Sequence, residues 1–351
     1  MTIALLSSLL GPNATKAIKE KGIRRNPASQ NFYGRLSKAL STQYEVLHIS
    51  SSPVAADDDG FIYNLEEAAA KIREKAVKTL LFDSLSVKLT RLALSLRKQT
   101  GVKIIAVCTD NPSNISDVPF YYPLACKFFA RNADGYFCLT KGLNELFNPK
   151  GKPVYYQLGI LDDESINPHH SDRPYLYFGG ALYERYGVLD LIEVYEELHP
   201  NFDLIISGHG PLETYLKEKS SKSLQFLGEI SKEEHLSYIA GAIASINPRR
   251  FDPKLDPYSV PSKVLEYLAF SNAIISTKST PLMDEKNYEM FINWVEGEDN
   301  KAALRSFFKQ HLDEHGNLTN VRLSHAFTLV RNNLGCLKTG KAIFEFINTY
   351  L

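Results

Sequence analysis

Glu266 stands one turn into PSKVLEYLAF, residues 261–270, a stretch that otherwise reads as an apolar helix. It follows a loop of arginines, aspartates and prolines. A carboxylate in that place can accept hydrogen bonds from two vicinal hydroxyls, as a ribose presents them. Pro261 suits the first helical turn, where its missing N–H would be unpaired anyway. The amides of Ser262 and Lys263 are then expected to point out of the positive end of the helix. Ser262, Lys263 and Glu266 are four and three residues apart and share one face. A pyrophosphate resting on those amides beside the Lys263 ammonium is one chemistry for this pattern. A solvated Lys263–Glu266 pair on an ordinary helix is the other.

Glycines at strand ends repeat the theme. Gly11 follows the first apolar run, Gly179-Gly180 follow YLYF, Gly208 and Gly210 flank His209 after FDLIIS, and Gly228 closes LQFLG. Glycine admits close approach of a ligand to the backbone, and the helix beyond offers unpaired N–H groups to anions. Each glycine alone suits a turn; three strand ends in one half of the chain favour a phosphate-bearing ligand. No G-x-G-x-x-G follows the first strand of either half, and no Walker motif occurs, which disfavours dinucleotide oxidoreductases and P-loop enzymes.

The elements that must position these residues alternate. Strands are expected at Ile3–Ser7, Tyr44–Ile49, Thr79–Phe82, Lys103–Cys108, Gly135–Cys138 and Val154–Gln157, with helices near 29–41, 64–76, 86–99, 121–132 and 140–147. Such alternation specifies α/β units with parallel sheets. GILDDESINPHHSDRP, residues 159–174, is polar and aperiodic and reads as a linker. Its His169-His170 pair lacks partners at metal-ligand spacing. The alternation then restarts, and helices are expected near 298–311, 319–332 and 339–350. The expected organisation is a domain at 1–160, a second at 161–335 and a terminal helix at 336–351. A cleft between two such domains is the default ligand site.

Composition narrows the partners. With 40 basic and 40 acidic residues and no net charge, the chain has no nucleic-acid footprint. Its four cysteines, none in a C-x-x-C pair, read as buried thiols. No apolar run approaches the ~20 residues of a membrane span, so a cytoplasmic protein is expected.

On the first half, Asp110 follows the VKIIAVC strand and suits either a carboxylate that orients or deprotonates a hydroxyl or a turn with Asn111-Pro112. Asn26, Ser29, Gln30 and Asn31, at a helix start, suit hydrogen bonding to a polar ligand or helix capping. KLTRLALSLRKQTGVK, basic and amphipathic, suits an anionic membrane surface or a solvated helix face.

Four blocks carry a resemblance. YLYFGGALYERYGVLDLIEVYEEL, FDLIISGHGPLETYL, LQFLGEISKEEHLSYIAGAIASINP and PSKVLEYLAFSNAIIST, at about 174–277, resemble in order and spacing the donor half of glycosyltransferase family 4, whose fold is GT-B. The resemblance implies two Rossmann-like domains facing across a cleft, with the terminal helix crossing back onto the first. It implies transfer of a sugar, a hexose for preference, from a nucleotide diphosphate donor, UDP-linked for preference, to a glycan or lipid-linked acceptor. Retention of anomeric configuration is expected, with no metal or other cofactor. Glu266 matches the ribose-binding glutamate, and Ser262 and Lys263 match diphosphate contacts. Gly208, His209 and Gly210 match a turn near the nucleotide, and Phe226 to Gly228 lie where the base packs. Two departures stand out. The first of two family glutamates eight positions apart is Tyr258 here. The family's Arg and Lys after the glycine turn read Gly180 and Tyr186. Arg185, Arg249 and Arg250 are candidate replacements to neutralise the leaving diphosphate. The same departures suit a noncatalytic partner subunit of a transferase complex. A sugar-nucleotide epimerase of the same fold would need converging acid/base groups, and no such set stands out.

Overall fold

The computed structural model describes all residues except 24–26, 52–55, 116–117, 163–164 and 285. Asn26 therefore lies outside the described residues. The chain forms two compact units: Met1–Asp162 with Pro257–Val260 and Asn333–Leu351, and Asp163–Asp256 with Pro261–Asn332.

The first unit is a 7-stranded sheet built from β1 (Thr2–Ser7), β2 (Glu45–Ser50), β3 (Phe61–Ile62), β4 (Thr79–Asp83), β5 (Lys103–Cys108), β6 (Gly135–Cys138) and β7 (Val154–Tyr156). Its order is β3-β2-β1-β4-β5-β6-β7, with every pair parallel. Successive side chains of a strand alternate faces, and both faces of β1 are buried. Ala4 and Leu6 join Leu47, Leu80, Phe82 and Ile104 on one side. Ile3 and Leu5 meet Tyr33, Leu36 and Leu40 on the other, from the helix Pro27–Ser41. The terminal helix Cys336–Tyr350 closes that second layer with Ile343, Phe346 and Ile347, so the end of the chain does return to the first unit.

The second unit repeats the topology with β8 (Tyr175–Gly179), β9 (Asp203–Ser207), β10 (Leu224–Phe226), β11 (Ala244–Asn247), β12 (Ile274–Thr277) and β13 (Asn293–Val295). Its order is β10-β9-β8-β11-β12-β13, all parallel. Numbered from its own first strand, the second sheet runs 3-2-1-4-5-6 and the first runs 3-2-1-4-5-6-7, the doubly wound order whose ligands bind where the order reverses. That reversal lies between β1 and β4 in the first unit and between β8 and β11 in the second.

Some local expectations fail for visible reasons. The helix expected at 319–332 begins at Phe327. Ahead of it Asn320 takes a left-handed φ of 57°, and Leu323 bridges antiparallel to Ala273. The two short strands β3 and β13 have no periodicity to read in two or three residues. Pro257–Val260, expected within the second domain, packs with the first unit: Thr140 Oγ1 donates to the Pro257 carbonyl at 2.8 Å. All four cysteines are buried and free.

The terminal helix docks by close approach. A Cβ on Gly340 would lie 2.1 Å from the Ala39 carbonyl oxygen, so only glycine fits there. Gly340→Val is expected to destabilise the protein by about 2 kcal/mol through overpacking, read as a lowered urea midpoint; an unchanged midpoint would remove this contact from the account.

Candidate active site

The turn that ends β8 is shaped by two side chains lying against it. Gly179 and Gly180 leave room that any Cβ would fill. On Gly179 it would fall 2.4 Å from His235 Cε1; on Gly180 it would fall 2.9 Å from Lys263 Nζ. Gly180 takes φ +149°, a region that favours glycine. Its carbonyl meets Gly208, where a Cβ would come within 1.8 Å of that oxygen, and Gly208 has φ +138°. Gly180 N donates to the Ser207 carbonyl at 3.0 Å and Gly208 N to the Gly228 carbonyl at 2.8 Å. The structure thus brings Gly179, Gly180, Gly208 and Gly228 together at the carboxyl ends of β8, β9 and β10. A Cβ on Gly210 would fall 2.6 Å from the Leu182 carbonyl, and Leu182 N donates to the His209 carbonyl at 3.0 Å. The same turn therefore includes His209 and Gly210, and the His209 ring pairs with Glu213. Phe226 is partly buried against the core of the unit.

Glu266 and Lys263, on the helix Ser262–Phe270, reach opposite sides of this turn. Glu266 Oε2 lies 3.3 Å from His235 Nε2, His235 Nδ1 lies 2.7 Å from Tyr177 Oη, and Tyr177 Oη lies 2.6 Å from Ser207 Oγ. One assignment of hydrogens satisfies the whole chain. Ser207 donates to Tyr177, Tyr177 donates to His235 Nδ1, and His235 Nε2–H donates to the carboxylate. The imidazole thereby orients Glu266 without leaving a buried donor unused. This contradicts the reading of Glu266 as half of a solvated pair with Lys263.

Lys263 is only half-buried along its stem, but its Nζ is buried and has no hydrogen-bond partner. It sits 4.1 Å from the centre of the Phe178 ring and 5.2 Å from that of Tyr186. Alternation along β8 puts Tyr177 and Phe178 on opposite faces; His235 meets the first and the Lys263 amine the second. Burial, with the charge of Arg249 adding to it, lowers the ammonium pKa to about 7, and Glu266 opposes them. An unsatisfied buried amine is costly, and an anion at the turn would supply the missing partner. None of the described hydrogen bonds uses the Ser262 or Lys263 amide, as befits a helix start.

The arginine candidates separate. Arg250 spends its fork on Asp190, with bonds of 2.9 and 2.8 Å. Burial pushes the Asp190 carboxyl up, but hydrogen bonds from Arg250 and Asn300 outweigh it and hold the pKa below the usual range. Arg250 thus pins the loop after β11. Arg185 is exposed, 5.1 Å from the centre of the Tyr186 ring and 5.5 Å from that of Tyr183. Arg249 lies close enough to Lys263 to depress its charge.

Other candidates have local roles within the first unit. Asp110 Oδ1 accepts from Asn111 N and from Asn114 Nδ2, both at 2.7 Å, in the turn after β5. Gln30 bridges the loop after β1, donating to the Ser8 carbonyl at 2.7 Å and accepting from Leu10 N at 3.2 Å. Ser29 Oγ lies 3.1 Å from Ser8 Oγ, and Asn31 is exposed. Tyr258 packs against the first unit's core. Gly11 leaves room for Asp58, whose carboxylate accepts from Asn13 N at 2.7 Å, Ala14 N at 3.0 Å and Tyr63 Oη at 2.6 Å. The helix start expected to face a phosphate there is filled by the protein's own carboxylate.

His235, Tyr177 and Phe178 escaped the sequence reading. A signal for His235 existed: Ser231 and Glu234 form a capping box, which starts the helix at Lys232 and puts His235 in its first turn. Among the described residues no group of three or more His, Cys, Asp or Glu is arranged to hold a metal ion.

Residues 161–309 match the family model described as Glycosyl transferases group 1. The chain has the GT-B fold. Solved structures agree on the fold. HepE from Anabaena, in complex with UDP, aligns over 99% of this chain and 100% of its own, with 13% identity and a TM-score of 0.67. Sucrose-phosphate synthase from Thermosynechococcus elongatus aligns over 99% and 98%, with 14% identity and a TM-score of 0.69. A putative UDP-N-acetylglucosamine 2-epimerase from Listeria monocytogenes aligns over 98% and 94%, with 12% identity and a TM-score of 0.55. Comparison with curated protein sequences gives no significant match.

The buried amine makes stability depend on pH. Lys263 titrates near 7 when folded and near 10.5 when unfolded. Between these values the unfolded chain binds the extra proton, so stability rises with pH across that window and the gain is lost as pH falls through about 7. Lys263→Met should flatten this rise in urea titrations of the ligand-free protein; the same slope in wild type and variant would show that the amine is not held as described.

Proposed function

We propose that the chain transfers a hexose from a UDP-sugar to a glycan or lipid-linked acceptor, in the cytoplasm, during synthesis of a surface polysaccharide or glycoconjugate. The reading rests on one observation above all: a buried amine without a partner faces the glycine turn of a group 1 domain, on the same helix as a carboxylate oriented by His235. HepE has been crystallised with UDP and with UDP-glucose, which supports a UDP-linked donor here.

In this reading Glu266 accepts hydrogen bonds from the two ribose hydroxyls, and His235 fixes its direction. The diphosphate rests on the amides of Ser262 and Lys263 and on the Lys263 amine. The bond from the sugar's anomeric carbon to the diphosphate oxygen breaks, and its electron pair leaves on that oxygen. The acceptor oxygen bonds to the same carbon on the face the diphosphate left, which retains configuration. Its proton passes to a carboxylate, for which Asp110 is the candidate. Negative charge grows on the departing phosphate, and preorganised donors count most where charge develops. The charges of Lys263 and Arg249 and the helix amides meet that demand in the absence of a metal. They stand in for the cationic pair that Gly180 and Tyr186 lack. The epimerase alternative needs acid/base groups around the sugar, and the His235 chain is spent on orienting Glu266.

Calorimetric titration with UDP, GDP and ADP tests the reading. UDP should bind, and Glu266→Ala should weaken it about tenfold or more, the loss expected of hydrogen bonds to a charged group. Unchanged affinity in that variant would remove the ribose clamp, and no binding by any nucleotide would leave a noncatalytic partner subunit as the better account. Lys263→Met should lower kcat by about a hundredfold or more while the fold persists. Asp110→Asn should slow transfer and spare UDP affinity; full activity would reduce Asp110 to a turn residue.

A further inference from the structure

The helix Tyr122–Ala130 in the first unit buries only one of its faces. Tyr122, Cys126 and Ala130, each four residues on, form the inner face. Tyr122 Oη donates to the Leu85 carbonyl at 3.2 Å, Cys126 Sγ lies 3.5 Å from the same oxygen, and Ala130 is fully buried. The opposite face carries Tyr121, Leu124 and Phe128, which are 56%, 63% and 66% exposed, with Phe120 beside them at 91%. Four large apolar side chains clustered at one helix are not ordinary scatter on a soluble surface.

The surroundings indicate what covers them. The helix Val87–Thr100, which packs alongside, carries Lys88, Arg91, Arg97 and Lys98 and no acidic residue. The aromatic helix adds Lys127 and ends at Arg131, again with no acidic residue. Lys88, Arg91 and Arg131 are exposed, and the Arg91 guanidinium lies 5.8 Å from the centre of the Phe129 ring. This one-sided charge contrasts with a chain whose net charge is zero. A protein partner of mixed charge would not call for such a bias. A bilayer with anionic headgroups does: phenylalanine, leucine and tyrosine seat in its interfacial zone, and lysine and arginine meet the phosphates.

We propose that Phe120, Tyr121, Leu124 and Phe128, fringed by Lys88, Arg91 and Arg131, form a docking surface for an anionic lipid bilayer. The sequence pointed to the basic helix alone; the structure moves the inserting residues to its neighbour. The surface is independent of the donor-site reading, since no residue of that site belongs to it.

Flotation with vesicles of phosphatidylcholine containing about a third phosphatidylglycerol, beside pure phosphatidylcholine vesicles, tests the proposal. Wild type should float with the anionic vesicles and not with the neutral ones. Phe120→Ser with Phe128→Ser should reduce partitioning about tenfold or more, and Lys88→Gln or Arg91→Gln about fivefold each. Both phenylalanines are exposed, so the thermal midpoint should hold. In a separate variant, Leu124→Trp should gain a blue shift in emission on adding the anionic vesicles. Failure of wild type to float with anionic vesicles would overturn the proposal, as would equal flotation of the serine variant. It would also fall if wild type were a dimer in solution that the two serines made monomeric with no vesicle bound by either, which would assign the face to a second copy of the chain.

Discussion

No side chain fits on the turn that ends β8 without displacing a neighbour, and the arrangement of side chains around it depends on that exclusion. Gly179 yields its space to His235, Gly180 yields to Lys263, and the carbonyl of Gly180 presses on Gly208. Were any of the three larger, the imidazole, the amine or the neighbouring loop would have to move. The turn lies where the strand order reverses, the position at which parallel sheets bind ligands. Steric exclusion by backbone and placement by topology thus converge on one spot, where a buried amine is held without a hydrogen-bond partner.

Much of this was legible before any coordinates. Alternating strands and helices specified two parallel sheets because buried strands leave an unambiguous pattern. The shared face of Ser262, Lys263 and Glu266 followed from helix geometry alone. What could not be read was which of two contacts each side chain would choose. Lys263 and Glu266, spaced for a salt bridge, part company: one turns to Phe178 and the other to His235. Arg250 looked like a donor contact and is consumed by Asp190, sixty residues earlier in the chain. His235 was visible in the sequence but had no meaning until Gly179 was seen to make room for it. Choices of partner across a fold depend on long-range packing, which local periodicity does not encode.

The surroundings of Lys263 also bear on the two positions where the chain departs from the family pattern. Gly180 and Tyr186 stand where the resemblance calls for cations. The amine of Lys263 lies against the first and over the ring of the second. Positive charge is thereby delivered to the same turn from a different element. Burial and the charge of Arg249 oppose the charged form while Glu266 favours it, which leaves the group close to balance near neutral pH.

Asp58 shows the same anion logic running in reverse in the first unit. Its carboxylate occupies the amides of Asn13 and Ala14, the start of the helix Pro12–Glu20 that follows β1. The two sheets share one topology, so each would offer a cradle for phosphate beyond its first strand. In the first unit that cradle is filled by an internal ligand mimic, a tethered carboxylate always at saturating local concentration. The duplicated architecture is in this way made unequal: the helix start beyond the first strand of the first unit is already neutralised by its own chain.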